Sequence, residues 1–158
     1  MARIKRIFNI RPSQKQEMDW ELRHAQTAGF IPPTTKKIPT SVDLRSSWWK
    51  INNQYDTGAC VGWATADGLL RWHFVKNKML KKNESLSVRF IWMGSKETDE
   101  LTDRPTSFID EAGTTLKAAL DIARKYGCVR SGILPFQSRT PQRYTEDNFY
   151  SRASRFKI

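Results

Sequence analysis

The sequence predicts a mainly helical lobe, and three observations carry that expectation. From Gly58 to Val75 apolar side chains fall on more than one helical face, as in a central, enclosed helix. Ser87 precedes the bulky run Phe90, Ile91 and Trp92, and its hydroxyl is placed to cap a second helix. Thr114 stands in the same relation to Leu116, Ala119, Leu120 and Ala123, which recur at the spacing of a buried stripe. At 158 residues the chain suits one domain or one substantial lobe, long enough to bury a core.

Taken in order, residues 1–37 form a basic N-terminal arm. A helix is expected from Ser13 to Ala28, presenting Met18, Leu22 and Ala25, before the Pro32-Pro33 break. The arm reads as a linker or as a packing segment. Residues 38–136 hold the helical lobe. Its first helix is expected to place Val61, Ala64, Gly68 and Trp72 on one side and Trp63, Ala66, Leu70 and Phe74 on another. Lys76 to Asn83 is a basic, solvated turn, and the second helix runs from Ser87 to the neighbourhood of Gly94. Thr98 to Asp110 is a polar loop containing Pro105, after which the third helix ends at Gly127. Residues 137–158 are a basic tail, or the start of a further lobe. Their weak periodicity predicts poor packing unless a partner or continuing chain covers them. No internal repeat is visible.

Composition excludes several classes. No apolar run is long enough to span a bilayer, and the basic start Met1 to Arg11 lacks the apolar stretch of a secretory signal, so a cytoplasmic or non-classically exported protein is expected. Two cysteines make no disulfide framework. The net charge of +11 divides as +5 over residues 1–45, +3 over 46–136 and +3 over 137–158, so most of the excess lies in the flanks. No zinc-ligand spacing, phosphate loop or RNA-binding aromatic signature accompanies it, which disfavours nucleic acid as a partner. Arg3, Lys5, Arg6 and Arg11 read as a solvated arm, with an acidic partner or membrane surface as the alternative.

Chemistry concentrates at Cys60, in the run Gln54-Tyr55-Asp56-Thr57-Gly58-Ala59-Cys60-Val61-Gly62-Trp63-Ala64, a polar turn entering an apolar helix. Free backbone N–H groups and the positive end of the helix dipole favour the thiolate, the nucleophilic form. Gln54, six residues upstream, has a side-chain N–H that could meet an oxyanion beside the sulfur. Cys128 reads as a small buried residue, with a Cys60–Cys128 bridge the lesser option because it would block the thiol. His73 lies about three turns beyond Cys60, too far along the axis to take its proton. His24, in the arm, is an unconventional candidate base. Two separated histidines give no metal signal. Trp48 and Trp49 read as packing groups rather than a platform for stacking bases.

At Gly58-Ala59-Cys60, with Gln54 before it, the chain resembles the papain-like cysteine peptidases. Val61 stands where that family usually has Trp or Tyr, and Thr57 where it often has a disulfide-forming cysteine. The resemblance extends from Ile38-Pro39-Thr40-Ser41-Val42-Asp43-Leu44-Arg45, similar to the start of a mature peptidase domain, through Leu86-Ser87-Val88-Arg89-Phe90-Ile91 and Glu111-Ala112-Gly113, to Ile133-Leu134-Pro135-Phe136. Its flavour is closest to bacterial and phage-type members. The fold class it implies is α+β, mainly the helical lobe, with the β-rich lobe largely absent. It further implies a Cys60 nucleophile, an oxyanion site using Gln54, and substrate contacts at Gly58, Glu111, Ala112 and Gly113, with a peptide or protein substrate and no metal or organic cofactor. Glu111 could select a basic side chain or simply be solvated. The arm could also be prosegment-like and lie over the groove. The family's catalytic histidine and asparagine follow the nucleophile by roughly 130–150 residues, whereas 98 residues follow Cys60 and no histidine follows His73. A second lobe or partner chain supplying His and Asn is therefore expected. The competing readings are a non-catalytic peptidase-like binding or structural module and, more weakly, a basic nucleic-acid-associated protein.

Overall fold

Hydroxyl caps and close helix packing organise the chain. The computed structural model describes residues 10–31, 39–99, 112–137 and 147–158, with side chains of the last stretch from 150 onward. These residues fall into two units, 14–50 and a larger one comprising the chain before residue 14 and after residue 50.

In the smaller unit a single 3-10 turn, Gln16–Met18, precedes helix α1, Leu22–Thr27. The longer amphipathic helix expected here does not form. Lys15 takes a left-handed conformation and Asp19 an extended one, so the backbone breaks on both sides of the turn. Met18 and Leu22 are exposed, and only Ala25 of the expected face is half-buried. Glu21 and His24 form a reciprocal capping box at the start of α1, with the Glu21 N–H donated to His24 Nδ1 at 3.0 Å.

In the larger unit, helix α2 runs without a break through α-helical Cys60–Gly62, π-helical Trp63–Leu70 and α-helical Arg71–Lys76. The π stretch is widened by one residue per turn, as where the Arg71 N–H reaches back to the Ala66 carbonyl. This rotates the faces expected of a regular helix. Val61, Ala66, Leu70 and Phe74 are buried, whereas Ala64 is exposed, so α2 is less enclosed than its composition suggests. Beyond it, Leu80 folds back into the core while the lysines around it stay in solvent.

Helix α3, Val88–Thr98, begins as expected: the Ser87 hydroxyl accepts the Phe90 N–H at 3.0 Å and donates to the Leu134 carbonyl at 2.7 Å. Helix α4, Leu116–Lys125, is capped by Thr115 rather than Thr114, through the Ala118 N–H at 3.1 Å. Thr114 instead donates to Asp99 Oδ2 at 2.8 Å. Its buried face also differs from the expected one: Ala118, Ala119, Ile122 and Ala123 are buried, and Leu116 and Leu120, expected inside, are exposed. Small alanines let α4 approach α3 closely; a methyl on Gly94 would lie 3.3 Å from Ile122 Cδ1. Gly127 ends α4 with φ +87°.

The last described stretch corrects the expectation of a poorly packed tail. Helix α5, Asp147–Ala153, and the 3-10 turn Ser154–Phe156 return to the core. Ala153 and Phe156 are buried, and the Phe156 ring meets Phe74 edge-on at 5.2 Å. Arg130 also lies over the Phe156 ring, its guanidinium carbon 5.4 Å from the ring centroid. The Ala153 carbonyl accepts the Cys128 N–H at 3.0 Å, and a Cβ on residue 127 would stand 2.1 Å from that oxygen. Ala153 and Phe156, on either side of the change from α-helix to 3-10 turn, carry little periodicity, so the docking was invisible to pattern reading.

Among the described residues β pairing is limited to two isolated bridges, Arg11 with Thr115 and Leu86 with Arg130. No described helix is long and apolar enough to cross a membrane.

Candidate active site

The turn before α2 is shaped by its own polar groups. Gln54 Nε2 donates to the Thr57 carbonyl at 3.1 Å, and the Thr57 hydroxyl donates back to the Gln54 carbonyl at 2.7 Å. Asn53 accepts the Tyr55 N–H at 2.8 Å, which holds Tyr55 at φ 55°, and the Tyr55 hydroxyl accepts from Gln137 at 3.2 Å. Gly58 and Ala59 are buried at the end of this turn, and Ala59 is the residue from which α2 starts. Cys60 is therefore the first residue of the helical run, half-buried, with a free thiol.

Two residues on, α2 meets α3 at van der Waals limits. A methyl on Gly62 would sit 2.7 Å from Trp92 Cβ and 3.0 Å from the Val88 carbonyl, so only glycine permits this approach. Trp63 packs edge-on to Phe136 at 5.1 Å, and Phe136 lies 6.1 Å from Trp92. The indole N–H of Trp92 then donates to the Ala112 carbonyl at 3.0 Å. The 112–115 segment is secured again where the Arg11 N–H donates to the Thr114 carbonyl at 3.2 Å. Ala112 and Gly113 are buried, and Glu111 lies outside the described residues.

A buried ion pair supports the helix from within. Arg71 Nη1 donates to Asp67 Oδ1 at 2.8 Å, and Arg71 Nη2 reaches the Lys82 carbonyl at 3.1 Å. Asn52, two residues before Gln54, donates to the other Asp67 oxygen at 3.5 Å. Sequence reasoning missed this pair, although its i, i+4 spacing was a usable signal. It also treated Trp92 as bulk alone.

Cys128 is buried, and burial, outweighing smaller backbone hydrogen-bond effects at Ser87 and Val129 that act the other way, pushes its thiol up to about 12. Such a thiol is protonated and inert at neutral pH. His73 is exposed on α2, with Asn77 Nδ2 at 3.2 Å from its Nε2. His24 is held in the α1 cap of the smaller unit. Among the described residues no three His, Cys, Asp or Glu side chains gather as metal ligands.

No family model and no curated protein matches this sequence. A solved structure does match: Xylellain, a cysteine protease from Xylella fastidiosa, superposes with a TM-score of 0.73 at 17% sequence identity. The match covers 100% of this chain and 58% of that protein. The likeness establishes a shared fold and supports the papain-like architecture that the motifs around Cys60 and Ser87 resemble.

Proposed function

We propose that the chain is the nucleophile-bearing part of a papain-like cysteine peptidase of bacterial or phage type. The carrying observation is a free, half-buried Cys60 opening α2 directly after the Gln54 to Ala59 turn, within a fold shared with a cysteine protease. In this reading the Cys60 sulfur attacks a peptide carbonyl, and the resulting oxyanion is met by the Cys60 N–H and by Gln54. That step requires Gln54 Nε2 to exchange the Thr57 carbonyl for the oxyanion. Gly58, Glu111, Ala112 and Gly113 would border the substrate. A histidine from outside these 158 residues would activate the thiol and protonate the leaving amine.

A peptidyl chloromethyl ketone tests the reading. Cys60 sulfur should displace chloride with saturable kinetics in the intact chain, Cys60→Ala should abolish labelling, and peptide hydrolysis by the chain alone should be negligible. Labelling no more selective than that by iodoacetamide would overturn it. Hydrolysis abolished by Cys60→Ala would instead place the base within the chain. The second reading is a non-catalytic peptidase-like module that keeps the fold shared with a cysteine protease without turnover. It predicts reversible peptide binding that survives Cys60→Ala.

A further inference from the structure

We infer that Trp92 is a positioning residue that couples the Cys60 helix to the 112–113 segment, and so sets how a peptide is held against the thiol. The inference rests on the peptidase reading above and deepens it. Trp92 is fully buried in α3, and it touches both sides of the proposed site with different parts of one side chain. Its Cβ is the contact that forbids any side chain at position 62, two residues from Cys60. Its indole N–H holds the Ala112 carbonyl at 3.0 Å, immediately before Gly113. Both cysteines are free, so no covalent link performs this task.

The consequences of the two contacts differ. Apolar packing at Gly62 fixes a distance but not the orientation of a remote peptide plane. A hydrogen bond to the Ala112 carbonyl does fix that plane, and therefore the direction in which the Gly113 N–H, in the same peptide unit, points. The Arg11 N–H secures the segment at Thr114, beyond Gly113, leaving Trp92 to secure it at Ala112. Phenylalanine at position 92 retains most of the packing and removes the donor.

The experiment compares the full chain with Trp92→Phe, using a peptidyl chloromethyl ketone and iodoacetamide as separate probes of Cys60. Loss of the indole donor should weaken saturable binding of the peptidyl reagent by about tenfold, with the limiting alkylation rate and the iodoacetamide rate unchanged. In the unsubstituted chain, the Trp92 indole N–H resonance should shift more on peptidyl labelling than on carbamidomethylation, a readout independent of whether the variant folds. Wild-type saturation retained in Trp92→Phe, or an indole resonance indifferent to the peptidyl group, overturns the role of Trp92 and leaves the peptidase reading standing. Absence of saturation in the wild-type chain overturns that reading and this inference together.

Discussion

Residues 14–50 and 51–158 use the same kinds of side chain to opposite ends. In the first, Trp20 and Phe30 have ring centroids 5.9 Å apart yet remain 65% and 76% exposed. In the second, Trp92 and Phe74 are essentially dry. No described residue of 14–50 is buried. Its hydrogen bonds, such as Arg45 to Asp43 and Thr27 to Arg23, join near neighbours. Those of 51–158 include Ser87 to Leu134 and Trp92 to Ala112, which tie distant parts of the chain. The difference teaches that an aromatic pair is not a core. Local bonds shape a short segment, while cooperative stability needs apolar surface closed from several directions.

Replacement of matched aromatics tests this contrast most strongly. Phe74→Ala should cost about 3–5 kcal/mol in urea unfolding, because it empties a packed site. Phe30→Ala should change stability by about 0.5 kcal/mol or less, as at other exposed positions. Comparable losses at the two sites would mean that 14–50 has its own closed core. Gly127→Ala should cost about 3 kcal/mol, since it combines a left-handed backbone with a collision at the Ala153 carbonyl. A fall in midpoint no larger than that of a surface exchange would show that α5 is not fixed against residue 127.

Cys128 sharpens the comparison through pH. Its folded value of about 12 lies above its ordinary 9.0, so folded and unfolded thiols are both protonated below pH 9 and the contribution is complete there. Between those values only the unfolded thiol ionises, and stability should fall by about 1.4 kcal/mol per pH unit. Urea midpoints at pH 8 and pH 10.5, in the wild type and Cys128→Ala, check this, with the wild type losing more. Ser87→Ala should cost about 1 kcal/mol through its lost cap. The smallest effect is expected at Asp43. Arg45 holds its carboxyl below the usual range, but both groups are solvent-exposed and Asp43→Asn should leave the unfolding midpoint unmoved.

What could be read from the sequence was local. The Ser87 cap, the start of α2 and the Gly127 stop each depend on residues within one or two turns, and the motifs at Cys60 carried the fold resemblance. The third helix was found, but it is capped by Thr115 because Thr114 is engaged by Asp99, and it buries Ala118 and Ile122 rather than Leu116 and Leu120. Ala64, in the π stretch of α2, is exposed rather than on the expected face. Phe156 against Phe74, Trp92 against Ala112 and the Arg71 bond to Lys82 pair residues whose separation no periodicity encodes. The candidate site followed the same division: its turn was legible, and the groups that tie it to α3 were not.

The Asp67–Arg71 pair constrains how this sequence can drift. Removing either member strands a buried charge at a cost of about 3–5 kcal/mol, whereas exchanging both for apolar residues of matching volume can be close to neutral. Single steps therefore descend into a valley that a double step crosses. Descendants of this chain should keep both residues or neither, and a lineage holding one of them should carry a new partner for it beside Asn52 or Lys82.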